Sequence, residues 1–209
     1  MSDSLRDGTS RVYRAVFRVG FLPVAGLFRL RVFGRDNVPS CGGVVVSANQ
    51  LSNVDAWLVA WALWPRPVHF MGKAELFRRP FRRLLRALHV FPVARDGIAR
   101  SALEEAVARV SGGAAVGIFV EGTRRRKGFR KRRHPRPHDG AAWVALRAGV
   151  PLVPVAITGT DRLWRLRRWT VKVGEPIVVA DLGRVTARQA RGVLTGRLSA
   201  TIAALEESA

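Results

Sequence analysis

The sequence predicts a single layered α/β domain, with a mostly parallel central sheet flanked by helices and an amphipathic helix at the N-terminus. Short apolar runs typical of buried strands alternate along the chain with segments of helical periodicity, which is the pattern of strands covered by helices on both faces. The length of 209 residues suits one domain with one sizeable hydrophobic core.

The first predicted element is a helix over residues 11–30, bent or broken at Pro23. Arg11, Arg14 and Arg18 recur at helical spacing beside apolar side chains. This pattern is typical of a basic helix that lies in a membrane interface. The same pattern also fits a helix that packs on its own domain and keeps its charges in water.

Six apolar runs predict strands, at residues 44–48, 68–71, 90–94, 116–120, 150–157 and 171–173. Helices are predicted between them at 53–64, 75–88, from 101 onward, at 141–148 and from 186 onward.

Residues typical of helix caps predict several of these boundaries. We expect Ser52 or Asn53 to cap the helix that follows the first strand, and Gly149 to end the helix at 141–148. The patterns Ser-x-x-Glu at 101–104 and Thr-x-x-Gln at 186–189 predict capping boxes.

The composition predicts an anionic partner. Lys and Arg number 36 against 15 Asp and Glu, a formal charge of +21. Such an excess suits phospholipid headgroups, nucleic acid, or acidic substrates and proteins. A basic run at 124–133 lacks the interleaved aromatic side chains of a base-stacking surface, so we expect no specific nucleic acid.

We therefore divide the chain into an N-terminal amphipathic membrane-interface segment, 1–34, and a domain at 35–209. No segment approaches the ~20 apolar residues that span a bilayer. Cys41 is the only cysteine, so no internal disulfide can form, and the histidines and acids show no metal-ligand spacing.

The segment Asn49-Gln50-Leu51-Ser52-Asn53-Val54-Asp55 follows the first predicted strand. Taken alone, it is typical of N-cap chemistry. It also resembles the N-H-x-S-x-x-D signature of the glycerophospholipid acyltransferases, the 1-acylglycerol-3-phosphate O-acyltransferase family, with Gln50 in place of the histidine. The resemblance implies that Asp55 orients a base at position 50. A carboxamide cannot take a proton near neutrality, whereas imidazole can.

Three further blocks, at residues 73–95, 119–124 and 138–160, carry the resemblance in the family's order. Lys73-Ala74-Glu75-Leu76-Phe77 and Phe91-Pro92-Val93-Ala94-Arg95 resemble K-x-E-L-F and F-P-V-x-R, and Phe119-Val120-Glu121-Gly122-Thr123-Arg124 resembles F-P-E-G-T-R. His138 stands where K-x-G-A-A has its lysine, and residues 150–160 resemble V-P-x-V-P-V-x-I-x-G-T. The substrate-binding residues implied are Lys73, Arg95, Glu121, Gly122, Thr123, Arg124 and His138.

The resemblance implies a phospholipid-biosynthesis acyltransferase on the cytoplasmic face of a membrane, peripheral or monotopic. It would move a fatty acyl group from acyl-coenzyme A or acyl carrier protein to a lysophosphatidic-acid-like acceptor, without a cofactor or metal. We expect Gln50 to impair catalysis, unless His138 supplies a replacement base. The alternatives are a non-catalytic member that binds lipid or acyl donor and, more remotely, a basic nucleic-acid-binding protein.

Overall fold

A computed structural model of the chain describes residues 11–77, 80–93, 99–121, 126–127, 130–131, 137–182 and 186–208. Within these ranges the strands are β1 Arg31–Phe33, β2 Val44–Ala48, β3 Val68–Lys73, β4 Val90–Val93, β5 Ala115–Phe119, β6 Arg126–Lys127, β7 Arg130–Lys131, β8 Leu152–Thr158 and β9 Thr170–Val173. The helices are α1 Arg11–Ala15, α2 Leu22–Leu27, α3 Asp55–Ala62, α4 Phe81–Ala87, α5 Ala99–Ser111, α6 Gly140–Ala148 and α7 Ala187–Glu207.

The main sheet of the described residues has the order β1-β9-β8-β2-β5-β3-β4. β8, β2, β5, β3 and β4 run parallel to one another, whereas β9 runs antiparallel to β8 and β1 runs parallel to β9. The predicted fold class is therefore confirmed. The five parallel strands place their carboxyl ends at one edge of the sheet, which is where sites form in such sheets.

Helices cover both faces of the sheet. One face packs against the N-terminal helical segment and α3, and the other packs against α5, α6 and α7. The alternation along β2 shows the division, because Val44 and Val46 join the first cluster and Val45 joins the second. All five residues of β2 are buried, as expected for a central strand with both faces covered.

The N-terminal helix, which we define as residues 11–27, packs on the domain. Tyr13, Phe17 and Phe21 are buried, and Phe17 lies 5.8–6.2 Å from the rings of Trp57, Trp61 and Trp64. The aromatic face of this helix therefore packs on its own domain, which is the second of the two interpretations of its sequence pattern. β1 also pairs with β9 in the main sheet, so the described part of segment 1–34 shares one core with the rest of the chain.

The helical conformation continues through Pro23, so the predicted break there is wrong. Pro23 is the second residue of α2, which continues the π-helical turn without a cap, so the proline lies inside a continuous helix and removes one backbone hydrogen bond there. The irregularity falls earlier, in a π-helical turn over Val16–Phe21 that joins α1 to α2. A wider turn gives the proline ring room against the preceding carbonyls.

Two other predicted boundaries are wrong. The helix predicted at 75–88 is divided into a 3-10 turn at Ala74–Phe77 and α4, with Pro80 just before α4. α5 begins at Ala99, so Ser101 lies inside the first turn and Glu104 pairs with Arg100 at 3.1 Å.

Two predicted boundaries are confirmed. Gly149 ends α6 with φ of +64°, a conformation that favours glycine. Thr186 and Gln189 form the reciprocal capping box at the start of α7.

Candidate functional site

The carboxyl ends of β2 and β5 bring two motif segments side by side. Ala48 pairs with Phe119, and the Val120 amide donates to the Ala48 carbonyl at 3.0 Å. Gln50 and Glu121 each lie two residues past this pair, so the register puts them at the same level of the sheet edge. The structure thus brings together the first and third predicted motifs.

Asn49 ties the end of β2 to the end of β8. Its side-chain amide donates to the Ile157 carbonyl at 2.8 Å, and its carbonyl oxygen accepts from the Ile157 amide at 2.7 Å. Asn49 is fully buried, so both backbone groups of Ile157 depend on this side chain for their hydrogen bonds. We did not predict this role, since an asparagine before a helix is ordinarily interpreted as a cap.

Asp55 closes the turn that follows. Oδ2 accepts from the amides of Leu51 and Ser52, both at 2.6 Å, and Oδ1 accepts from the Ser52 hydroxyl at 3.0 Å. Ser52 therefore bonds to Asp55 and does not cap α3, whose N-cap Val54 has no side-chain cap bond. The predicted caps, Ser52 or Asn53, are wrong, because the carboxylate in the first turn reaches back to the preceding amides.

Asp55 is fully buried at the N-terminus of α3. Burial raises the pKa of Asp55, and the amides of Ser52 and Leu51 and the hydroxyls of Thr160 and Ser52 oppose that rise. Thr160 is also fully buried and comes from the segment after β8. Sequence analysis placed Thr160 in a motif without assigning it a role, and the structure places its hydroxyl near the carboxylate, at a geometry that does not make a hydrogen bond.

Gln50 lies on this turn and is half-buried. Its neighbours at 49 and 51 are fixed by the Asn49 and Asp55 hydrogen bonds, so the backbone at position 50 is held from both sides. Its carboxamide can donate or accept a hydrogen bond and does not titrate near neutrality. Glu121 is buried at the end of β5.

His138 joins the site through its backbone. Its amide donates to the Val120 carbonyl at 2.7 Å, which holds residue 138 beside the end of β5 and directly before α6. The side chain of His138 is exposed. Asp139 next to it pairs with Arg191 of α7 at 3.2 Å.

The remaining predicted site residues are placed less fully. Lys73 is the last residue of β3 and so lies at the same sheet edge. Arg95, Gly122, Thr123 and Arg124 lie outside the described residues.

An apolar cavity of about 140 Å³ lies beside α3. Its walls come from the N-terminal helix, α3, α4, β3 and β4, and they include Tyr13, Phe17, Ala56 and Trp57. Ala56 directly follows Asp55, so the cavity begins one residue from the motif turn. The other groups of the site are polar, which makes the arrangement suited to a ligand with one polar and one apolar part.

Within the described ranges, no group of three or more His, Cys, Asp or Glu side chains is arranged to hold a metal ion. No helix in the same ranges combines the length and the apolarity needed to cross a bilayer.

Comparisons with known proteins agree with this geometry. A family model described as "Acyltransferase" matches residues 29–158. A 1-acyl-sn-glycerol-3-phosphate acyltransferase of Bacillus subtilis is 28% identical over 181 residues, which cover 85% of this chain and 88% of that protein. A protein of the same name from Borreliella burgdorferi is 28% identical over 158 residues, covering 72% of this chain and 59% of its own length.

The crystal structure of the 1-acyl-sn-glycerophosphate acyltransferase of Thermotoga maritima superposes with a TM-score of 0.71. The match covers 98% of this chain and 83% of that chain at 24% sequence identity. At this identity the likeness shows the fold.

Proposed function

This chain belongs to the acyltransferase family, and we propose that it binds an acyl thioester and a phosphate-bearing lysolipid, with acyl transfer slowed by Gln50. The observation that carries the proposal is the turn at 49–55. Asp55 and Asn49 hold it in place, and it presents position 50 level with Glu121 at the carboxyl edge of the sheet. The relatives' names support a phospholipid acceptor.

The chemistry needs a proton to leave the acceptor hydroxyl. The hydroxyl oxygen bonds to the acyl carbon, the carbon–sulfur bond breaks, and the proton ends on the departing thiolate. A histidine at position 50 would carry that proton, whereas Gln50 can only hold the hydroxyl by a hydrogen bond. General-base catalysis is typically worth ~10²–10⁴-fold, or roughly 3–5 kcal/mol of barrier. Positioning of the two substrates remains, and a thioester is itself reactive.

The acceptor phosphate is assigned to the segment Glu121–Arg124 together with Lys73, Arg95 and His138. The support is positional, because the ends of β5 and β3 and residue 138 converge at the edge that carries Gln50. An arginine offers a planar pair of donors to phosphate, and a glycine lets the backbone approach an anion.

The acyl chain is assigned to the apolar cavity beside α3. Its lining is almost wholly hydrocarbon and aromatic, and it includes Ala56, one residue from Asp55. An acyl chain placed there would put its carbonyl carbon near the motif turn. The donor is acyl-coenzyme A or acyl carrier protein, and each would act as a co-substrate and not as a bound cofactor.

We place the protein on the cytoplasmic face of a membrane, as a peripheral or monotopic protein. The formal charge of +21 supports binding to anionic lipid. Since Phe17 and Phe21 face the core, the apolar contact from the N-terminal helix would come from Val19, Leu22 and Leu27, which are exposed.

The experiment that tests the proposal uses the purified chain with labelled acyl-coenzyme A or acyl carrier protein, each with lysophosphatidic acid. Monoacylglycerol, which lacks the phosphate, is the matched control acceptor. We expect slow formation of phosphatidic acid and preference for the phosphate-bearing acceptor. Preference for monoacylglycerol would refute the phosphate site.

The second candidate is a non-catalytic protein that binds the same ligands, and Gln50 is the observation that favours it. Calorimetric binding of lysophosphatidic acid with no product formed, even in the Gln50→His variant, would establish it. Transfer by the starting protein above the uncatalysed rate would exclude it, whereas transfer by the variant alone would not. Nothing in the described site favours nucleic-acid binding.

A further inference from the structure

The connection between β8 and β9 exposes large apolar side chains in a strongly basic setting. Within it Trp164 is 70% exposed, Leu166 57% and Leu163 39%. The same loop, which we define as residues 161–168, carries four arginines and one aspartate: Arg162, Arg165, Arg167, Arg168 and Asp161. None of these residues belongs to the motifs on which the proposed function rests.

The loop is held at both ends. At its start, Thr160 is buried against Asp55, and Gly159 has φ of +88°. A Cβ on Gly159 would lie 2.1 Å from the Arg168 carbonyl oxygen, so the two ends of the loop approach at a glycine. The apolar residues of the loop are therefore exposed although both ends of the loop are held in place.

The far end of the loop meets the N-terminal helix. Trp169 is buried, its ring stacks on Phe28 at 3.7 Å, and its amide donates to the Phe28 carbonyl at 3.0 Å. Phe28 directly follows Leu27, whose side chain is exposed. The stacked pair thus ties the residue that follows the N-terminal helix to the residue that follows the loop.

The chemistry of the loop matches a membrane interface. Tryptophan has an apolar body with one polar N–H and is enriched where one end is dry and the other wet. Arginine binds phosphate through paired donors. Leu166 has φ of +45°, a conformation disfavoured for a leucine, and yet its side chain is not used in the core.

We propose that residues 161–168 form a second contact with anionic lipid, in which Trp164 and Leu166 enter the headgroup region and the arginines bind phosphates. With Val19, Leu22 and Leu27 this contact would orient the domain on the bilayer. Because the loop begins at the residue that faces Asp55, it would keep the carboxyl edge of the sheet next to the lipid that supplies the acceptor. That last point alone rests on the proposed function.

An acidic protein such as acyl carrier protein is the other partner that four arginines could suit. The apolar side chains favour the bilayer, because exposed Trp and Leu at adjacent positions gain more from a hydrocarbon boundary than from a charged protein surface. The experiment separates the two partners.

A depth measurement tests the contact directly. In a Cys41→Ser background, a nitroxide is attached through Leu163→Cys or, as a matched control, through Val178→Cys. Val178 is similarly exposed, but it follows Ile177, which pairs with Leu152 at the amino end of β8, and so lies at the opposite sheet edge. With vesicles of phosphatidylglycerol and phosphatidylcholine, the label at 163 should gain accessibility to oxygen over a nickel chelate, and the label at 178 should not.

Partition of unlabelled variants into the same vesicles gives a second measurement. Trp164→Ser should weaken partition about tenfold at both low and high salt, because it removes buried apolar area. Arg165→Gln should weaken it about fivefold at 0.1 M salt and hardly at 1 M, because screening removes the charge term. Val178→Ser should change neither, and circular dichroism checks that each variant is folded.

Equal accessibility at 163 and 178, or unchanged partition of Trp164→Ser, would overturn the proposal. If Arg165→Gln loses binding to acyl carrier protein while its vesicle binding is unchanged, the loop is a protein-docking surface and the membrane assignment is wrong. The vesicles contain no acceptor or donor, so these results do not depend on catalysis. A failed transfer assay beside positive depth data would refute only the proposed function.

Discussion

Replacing Gln50 by histidine should raise acyl transfer at least about 10²-fold, because it restores a group that can take the acceptor proton. The new histidine needs a carboxylate to orient its ring, and Asp55 already lies at the end of the turn. The gain should therefore depend on the charge of Asp55. A cycle with Gln50→His, Asp55→Asn and the double variant measures that dependence.

The hydrogen bonds of Asp55 show why asparagine is the right replacement there. The amides of Leu51 and Ser52 both reach Oδ2, which a carboxamide oxygen can replace. The carboxamide nitrogen would then face the Ser52 hydroxyl, which accepts from the Val54 amide at 3.3 Å and has a second lone pair. Asp55→Asn thus removes the charge and keeps the turn.

The expected effects on stability depend on how many of these donors keep an acceptor in each variant. Asp55→Asn should lower the free energy of unfolding by no more than about 1–2 kcal/mol, because both amides keep an acceptor and only the hydroxyl of Ser52, which is partly exposed, loses its own. Asp55→Ala leaves three donors without one and should cost about 3 kcal/mol or more, at roughly 1–3 kcal/mol for each unsatisfied group. Urea unfolding of both variants checks this before any kinetic comparison.

Initial rates with lysophosphatidic acid then complete the cycle. For Gln50→His, kcat/KM should rise with pH through a pKa of about 6.5, the ordinary value for imidazole, and the starting protein should lack this step. In the Asp55→Asn background the gain should fall below about tenfold. Equal rates for the starting protein and Gln50→His, or an undiminished gain in the double variant, would refute the reasoning.

Three further outcomes are expected. Asn49→Ala should lower the free energy of unfolding by about 2–5 kcal/mol in a urea titration, because it leaves both backbone groups of Ile157 unsatisfied. Burial, together with a neighbouring histidine and arginine, lowers the pKa of His69 to about 4, so folding favours the neutral imidazole. The free energy of unfolding should therefore fall by up to about 3 kcal/mol as the pH drops from about 6.5, the ordinary pKa of histidine, to 4. Arg109 faces Nδ1 of His69 at 3.1 Å and can only donate, so His69→Gln keeps an acceptor and should flatten that slope in pH-dependent unfolding. Arg124→Ala should weaken calorimetric binding of lysophosphatidic acid by roughly 1.5–3 kcal/mol and leave monoacylglycerol unaffected, and equal losses would assign the arginine another role.

The strands were predictable because their signal is local. Val44 to Ala48 is a short apolar run, interrupted only by Ser47, after two glycines, and the structure has β2 at those five residues. The placement of motif residues after strands 44–48 and 116–120 followed from the same signal, since parallel strands end at one edge. The reversed direction of β9 was not predicted, because pairing between strands far apart in sequence leaves no mark on either segment.

Sequence analysis could not decide which way the N-terminal helix faces. Tyr13, Phe17 and Phe21 recur every four residues, which predicts an apolar face and does not say whether protein or lipid covers it. The partners are the three tryptophans of the α3 region, whose nearness is a property of the folded chain. For the same reason, the hydrogen bond from Asn49 to Ile157 could not be predicted from local sequence, because the two residues are 108 positions apart.

The fold accepts glutamine at position 50 because the side chains of other residues hold the turn in place. Asn49 fixes the residue before it to β8, and Asp55 fixes the two residues after it. These bonds join backbone groups to side chains at other positions, so the turn keeps its shape whatever side chain residue 50 carries. Gln50 itself is half-buried and fills no part of the two core clusters. A change there can therefore remove a proton acceptor at little cost in stability, and the proposed substrate site at this edge does not depend on residue 50 for its shape.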